Sequence, residues 1–311
     1  MKKITHGRLV YHSYKSYKER GSKLFIYNFA TDKLECISDA WTNVIDPMNA
    51  SWTADGAAIF FMGMNNAPNV SQYYSWDIFY YRVGSKENPK NLTNDPNSRN
   101  NDPKVYFGRN RKIVYKATDK SGSHIRTLTI SNKNAEQTAM DTLYSSTDAK
   151  LGMPFPSYDG KTVYFTQQIS DKMKSIFSLS VGCTAVQKVT GFADGRVNEK
   201  YPIVGFNGHS LFFAANEDSD RADQIYCIDL KDNRIIPKLM PFNIAGRNCS
   251  DPCVIDDERT IISGTHRSGG KGGYDLYLCD NITGEAVSLS EYNTAINTEM
   301  SELGACYTTT P

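Results

Sequence analysis

The chain has 311 residues, 40% of them hydrophobic and 12% aromatic, and 35 Lys and Arg against 34 Asp and Glu leave a net charge of +1. A chain of this length can bury a substantial core, and nothing in the balanced charge points to nucleic-acid or anionic-membrane binding. No apolar run approaches the roughly 20 residues of a membrane-crossing helix, so no membrane insertion is expected.

In chain order the sequence reads as short runs of β-branched and aromatic residues between turn residues, the signal for strands and hairpins. No helix longer than a turn is expected. Residues 7–37 hold three strands, at 8–11, 23–27 and 33–36. A second unit, 46–93, carries the strand Ala58-Ile59-Phe60-Phe61-Met62 and a long loop at 64–76. A third, 102–140, opens on Asp102-Pro103 and has a tight loop at 119–124. The fourth, 153–190, has its loop at 167–174, and the fifth, 201–239, has a charged loop at 216–223. The sixth, 251–289, shows every part in sequence. A Pro-led strand at 252–255 meets an acidic turn, Asp256-Asp257-Glu258, and strands at 260–264, 274–279 and 285–289 follow, the first two separated by a Gly-rich loop at 266–273.

The turn between the first two strands of each unit is a marker. It falls at Asp55-Gly56, Arg109-Asn110, Asp159-Gly160, Asn207-Gly208 and Asp257-Glu258, with spacings of 54, 50, 48 and 50 residues. Four short strands repeated at a fixed period indicate β-propeller blades. The first unit lacks an innermost strand, and Ala305-Cys306-Tyr307-Thr308 aligns with Ala50-Ser51-Trp52-Thr53 as a first strand with nothing after it. The C-terminal strand is therefore expected to complete the N-terminal blade, which removes the exposed edges of an open array. The expected fold class is all-β, a six-bladed β-propeller of four-stranded antiparallel blades. It forms one domain over 1–311, with 7–37 plus 302–311 as its first blade.

Here the residues carry a resemblance. The run from Asp46-Pro47 through Ser51-Trp52-Thr53-Ala54-Asp55-Gly56 to Ile59-Phe60-Phe61 resembles the TolB-type propeller repeat. Ser268-Gly269-Gly270-Lys271-Gly272-Gly273-Tyr274-Asp275-Leu276-Tyr277, followed by Ile296-Asn297-Thr298-Glu299, is similar to the variant found beside OmpA-like domains in bacterial envelope proteins. The resemblance covers nearly the whole chain and implies the fold. Such propellers serve as protein-docking platforms, glycan binders and enzyme accessory domains, so it leaves the function open among these. It also implies a periplasmic or cell-surface location after removal of a signal. The start, Met1-Lys2-Lys3-Ile4-Thr5-His6-Gly7, has no apolar segment after its basic residues and does not read as that signal.

Seven cysteines, at 36, 183, 227, 249, 253, 279 and 306, have no metal-ligand spacing. They read as buried thiols, with Cys227 and Cys279 at like positions of two third strands, and this composition implies the alternative, a cytoplasmic location. A monomer is expected.

In a propeller, the loops entering each first strand and the loops joining second to third strands share one face around the central channel, and loops on a rigid scaffold are where binding residues gather. At this channel-mouth face the sequence places Asp46, Asp102, Asp251 and Glu302, with Arg196, Asn198 and Glu199 approaching blade five. Such acids could hold a structural cation or a basic peptide; an Asp before Pro equally caps its own turn. The outer rim offers Tyr14, Tyr17, Tyr73, Tyr74 and Trp76, with Lys15, Lys172, Arg221, His266 and Arg267. Aromatic faces among polar donors suit a sugar ring or a protein partner, although Tyr74 and Trp76 also suit inter-blade packing.

His12, His124 and His266 fall near second-to-third-strand connections and could converge on the same face. A trio of His266, Tyr73 and Arg267 could abstract a proton α to a uronate carboxylate, the chemistry of propeller-fold polysaccharide lyases. The Gly-rich loop lacks phosphate-loop spacing and leads into a strand, no G-x-S-x-G elbow is present, and neither cofactor nor metal is called for. The expectation is a non-catalytic recognition module that binds a glycan or a protein on the channel-mouth face. The alternative is a carbohydrate-active enzyme, a polysaccharide lyase or glycoside hydrolase, using that face.

Overall fold

The computed structural model describes residues 1–16, 18–66, 75–132, 134–192, 197–217, 222–232 and 234–310. Among them lie twenty-four strands in six four-stranded antiparallel sheets. Blade one contains β1 (Arg8–Tyr14), β2 (Lys23–Asn28) and β3 (Lys33–Cys36). Blade two is β4 (Val44–Trp52), β5 (Ala58–Asn65), β6 (Trp76–Arg82) and β7 (Lys90–Asn91). Blade three is β8 (Arg99–Val105), β9 (Lys112–Asp119), β10 (Gly122–Ile130) and β11 (Gln137–Ser146). Blade four is β12 (Leu151–Pro156), β13 (Thr162–Gln168), β14 (Lys174–Ser180) and β15 (Val186–Lys188). Blade five is β16 (Val197–Val204), β17 (Ser210–Glu217), β18 (Gln224–Asp229) and β19 (Lys238–Leu239). Blade six is β20 (Cys249–Val254), β21 (Arg259–Gly264), β22 (Asp275–Asp280) and β23 (Ala286–Ser288). The last strand, β24 (Ser301–Thr308), returns to blade one.

The closure anticipated from the repeat is present. β24 pairs antiparallel with β1, Arg8 opposite Thr308, Leu9 opposite Tyr307 and Ser13 opposite Glu302, and becomes the innermost strand of the order β24-β1-β2-β3. Each marker turn joins the first two strands of its blade, and among the described residues the one helical element is a 3-10 turn at Leu289–Glu291. The seven thiols are unpaired; Cys249, Cys253 and Cys279 are buried, Cys227 is half-buried and Cys183 is exposed.

The core is divided among the six blade interfaces. Val10, Leu24 and Ile26 of blade one meet Ala50, Trp52 and Phe61 of blade two, and Phe60 and Ile78 of blade two meet Ile113, Tyr115 and Leu128 of blade three. The same pattern continues round to Leu9, Tyr11 and Tyr27 of blade one against Ile261, Leu276 and Leu278 of blade six. Strands buried on both faces read as nearly continuous apolar runs, and Ile59 through Met62 is fully buried on both faces of its sheet.

One irregularity recurs in all six innermost strands. Asn49, Asp102, Met153, Tyr201, Asp251 and Gly304 have φ of 51°, 53°, 51°, 53°, 47° and 61°. Each lies at a break in register with the second strand. Proline follows four of them, as Pro103, Pro154, Pro202 and Pro252. Proline has no N–H to give the ladder, so inside a sheet it belongs at a bulge. The bulge turns one residue from every blade toward the axis at the same level, and these six line a waist of about 50 Å³.

Candidate functional site

The waist divides the channel into a loop end, where the chain enters each first strand, and a turn end, where the marker turns lie. The carboxylates assigned to the channel mouth are built into the framework. Asp46 is 4% exposed and accepts from Arg20 Nη1 at 2.9 Å and from the amides of Gly21 and Ser22 at 2.6 and 3.1 Å, so it caps the β1–β2 connection. Glu302 is buried and accepts from Ser13 Oγ at 2.8 Å and Thr298 Oγ1 at 2.7 Å; burial raises its carboxyl above the usual range. Glu199 is likewise buried and accepts from the Ile176 amide. Asp46 thus caps a connection of the neighbouring blade and not its own turn.

Asp102 and Asp251 are not in entering loops but at the bulges, inside the waist. Asp102 Oδ1 accepts from Asn49 Nδ2 at 3.0 Å. Asp251 Oδ2 accepts from the Gly304 amide at 3.3 Å, while its Oδ1 has no partner. Burial pushes the Asp251 carboxyl up to about 6 against the opposing Gly304 amide and Lys104 ammonium. Gly304 holds φ 61°, and a Cβ there would lie 2.6 Å from His12 Nδ1 and 2.8 Å from Asn49 Oδ1, so the closure strand takes glycine at this point.

The rim aromatics and cations separate. Trp76 is 5% exposed and packs between blades two and three, with the Arg99 guanidinium 5.4 Å from its ring. This is the packing role, and its face is not offered to a ligand. His124 is buried and bonded to Ser145 Oγ at 2.8 Å and Asp119 Oδ1 at 3.1 Å. Arg267 is buried, donates to the Phe242 carbonyl at 2.7 Å and lies over Tyr277. Its neighbour His266 is exposed, with φ 52°, so the two do not act from one point. Tyr14 is half-buried with its ring 5.5 Å from His12. Tyr17, Tyr73, Tyr74, Arg196 and Arg221 lie outside the described residues. The His266, Tyr73 and Arg267 trio lies in part outside the described residues; of its described members, His266 is exposed and Arg267 buried. Among the described residues no group of three His, Cys, Asp or Glu could hold a metal.

The apolar concavity opens at the other end. A funnel of about 350 Å³ at the turn end is walled by the ends of the innermost strands, with Trp52, Tyr106, Phe107, Phe155, Tyr158, Phe206 and Tyr307 among its residues. Phe107 is its hub. Its ring centroid is 5.0 Å from Tyr158, 5.9 Å from Phe155 and 6.1 Å from Phe206, and the Phe155 and Phe206 planes are turned 63° and 74° from it. Tyr158 is 53% exposed and Phe206 46%. Clustered exposed aromatics of this kind mark binding surfaces. Trp52 is fixed as part of the wall, its Nε1 donating to the Cys306 carbonyl at 2.9 Å and the Arg8 guanidinium lying 4.7 Å from its ring. Lys104, just past the bulge of β8, is the lone Lys, Arg, Asp or Glu of the lining and reaches both funnel and waist.

The signal for this site lay beside the repeat markers. Phe107, Tyr158 and Phe206 stand one or two residues before the marker turns of three successive blades, a position that projects a ring over the end of the channel.

No family model matches the chain, and no curated protein matches it. Solved structures do. TolB from Acinetobacter baumannii superposes with a TM-score of 0.69 at 12% identity, over 97% of this chain and 66% of that one. Hydrazine synthase of Kuenenia stuttgartiensis gives 0.74 at 10% identity, over 97% and 46%. Oligogalacturonate lyase of Vibrio parahaemolyticus gives 0.56 at 13% identity, over 86% and 71%. The chain thus spans two thirds or less of the first two. What this chain shares with TolB, a synthase and a lyase is the β-propeller fold.

Proposed function

We propose that the chain is a non-catalytic recognition module that takes an apolar side chain of a protein partner into the turn-end funnel. The observation that carries this is the Phe107 cluster, in which Phe155 and Phe206 stand at 63° and 74° to the Phe107 ring and Tyr158 is tilted 38° from it, so that several rings at different inclinations line one pocket. A sugar ring is better served by one flat face with hydroxyl partners beside it. An inserted aromatic or aliphatic side chain is served by several rings at once. Among the described residues the funnel lining has no His, Asp or Glu, which leaves Lys104 and its tyrosines as the groups there that could serve as general acid or base. A bacterial envelope location belongs to the same proposal through the repeat resemblance; the seven unpaired thiols count the other way.

Selection of a random-peptide library against the full chain tests the reading. Enriched peptides should contain Trp, Phe or Leu and lose binding to Tyr158→Ser and Phe206→Ser. Peptides that bind these variants unchanged, or turnover of anionic polysaccharides by the wild-type chain, would overturn it.

A further inference from the structure

The funnel continues sideways into a groove of about 740 Å³ between blades three and four, and Tyr106, Phe107, Gly108 and Tyr158 line both. The funnel is nearly uncharged, whereas the groove carries three cations, Arg109, Arg111 and Lys112. Some Lys and Arg elsewhere in the chain are paired at close range. Arg126 has Asp119 at 3.0 Å, Arg234 has Asp232 at 3.0 Å and Lys200 has Asp223 at 2.9 Å. Among the described residues, none of the three groove cations has a carboxylate within ion-pair distance.

The groove also carries one carboxylate, which stays charged. Asp159 accepts from Ser157 Oγ at 2.7 Å and from the Lys161 amide at 3.0 Å, the turn that holds the marker hairpin together. Those bonds keep its carboxyl below the usual range. Lys112 is held over the Tyr106 ring, its Nζ 4.9 Å from the centroid, while Arg109 and Arg111 are exposed. The lip of the aromatic funnel thus presents three cations against the single Asp159 carboxylate, in a chain whose net charge is +1. Charge complementarity across an interface sets partner choice and encounter rate, and a nearly neutral chain lacks the broad basic field that a nucleic acid requires.

We propose that the partner is a peptide segment whose apolar anchor is flanked by acidic residues, the anchor entering the funnel and the acids lying along the groove over Arg109, Arg111 and Lys112. This rests on the funnel being a protein-recognition site. An extended segment advances about 3.3 Å per residue, so a few residues beyond the anchor bring carboxylates over these cations.

The test uses the same peptide selection, read for charge. Peptides enriched on the wild-type chain should carry two or more Asp or Glu beside the anchor. Their Kd should rise about tenfold on the double variant Arg109→Glu, Arg111→Glu. It should rise similarly from about 50 mM to about 500 mM NaCl, and be retained by Arg109→Lys, Arg111→Lys. Both arginines are exposed, and circular dichroism verifies that the variants fold. Anchored peptides without acidic enrichment, or acidic peptides indifferent to charge reversal, overturn this inference while their loss on Tyr158→Ser keeps the funnel reading. Peptides indifferent to Tyr158→Ser overturn the funnel reading itself. Competition by a single-stranded oligonucleotide as strong as by the acidic peptide overturns the choice of partner.

Discussion

The amide of Gly304 and Oδ2 of Asp251 meet at 3.3 Å across the boundary between the closing strand and blade six. Each is the bulge residue of its innermost strand, so the contact joins the C-terminal strand to the ring at the waist. It leaves Oδ1 of Asp251 without a hydrogen-bond partner in the half-buried waist of the channel.

That carboxyl is held at about 6, above its ordinary value of 3.8. A carboxyl raised on folding binds protons more tightly in the native state, so its contribution is fully present below about pH 4 and is lost as pH rises through about 6. Asp251→Asn keeps an acceptor for Gly304 and removes the charge. It should stabilise the protein by about 1–3 kcal/mol at pH 8 and by little at pH 4. Urea unfolding at the two pH values measures the difference, and equal effects at both would refute the assignment.

His12 drives the opposite slope. Its ring is 4% exposed, its Nδ1 faces the Asn49 amide at 3.5 Å, and burial with the nearby Lys104 ammonium pushes its pKa down to about 3. A histidine depressed on folding costs stability as pH falls below about 6.5, because the unfolded chain takes up the proton and the folded chain does not. His12→Asn should therefore flatten the fall in unfolding free energy between about pH 6.5 and pH 4, whatever packing it loses at neutral pH. An unchanged slope would place the acid sensitivity elsewhere.

The period of the fold was legible because hairpin chemistry is local. Asp-Gly and Asn-Gly favour the hairpin turn, three of the five markers are of this kind, and five markers at near-equal spacing imply the ring. The depth of Asp102 and Asp251 was not legible. Proline in a strand marks either its first residue or a bulge. The first choice puts Asp102-Pro103 and Asp251-Pro252 in loops at the mouth, whereas the chain makes the second and starts β8 and β20 several residues earlier. That shift carries the acids down to the waist. The funnel was missed for a related reason. A ring at Phe107 or Phe206 reads as the end of a buried strand until the convergence of six strand ends is seen.

The funnel rings and the core rings should separate in stability measurements. Phe206 is 46% exposed and Tyr158 53%, so Phe206→Ser or Tyr158→Ser should change unfolding free energy by no more than about 1 kcal/mol. Phe165, fully buried between blades three and four, should cost about 3–5 kcal/mol on truncation to Ala. Chemical denaturation of the three variants measures this. A large loss at Phe206 would make it a structural ring and weaken its assignment to recognition.

Removal of the closing strand is the most severe change the architecture allows. β24 supplies the innermost strand of blade one, covers β1 from Arg8 to Tyr14, and brings Tyr307, whose hydroxyl donates to the His6 carbonyl at 2.9 Å and whose ring lies 6.1 Å from Phe29. Truncation before Ser301 exposes the ladder of β1 and opens the interface of blades one and six, where Leu9 and Tyr11 meet Leu276 and Leu278. An uncovered edge strand pairs with whatever strand it meets. The truncated chain should melt at a lower temperature than the full chain and elute as larger species than the full chain in size-exclusion chromatography. A separately added peptide covering 300–310 should restore the monomer, because the register from Arg8 opposite Thr308 to Tyr14 opposite Ser301 is complete within it. A truncated chain that stays monomeric with an unchanged melting curve would show that the ring is held by its blade interfaces alone.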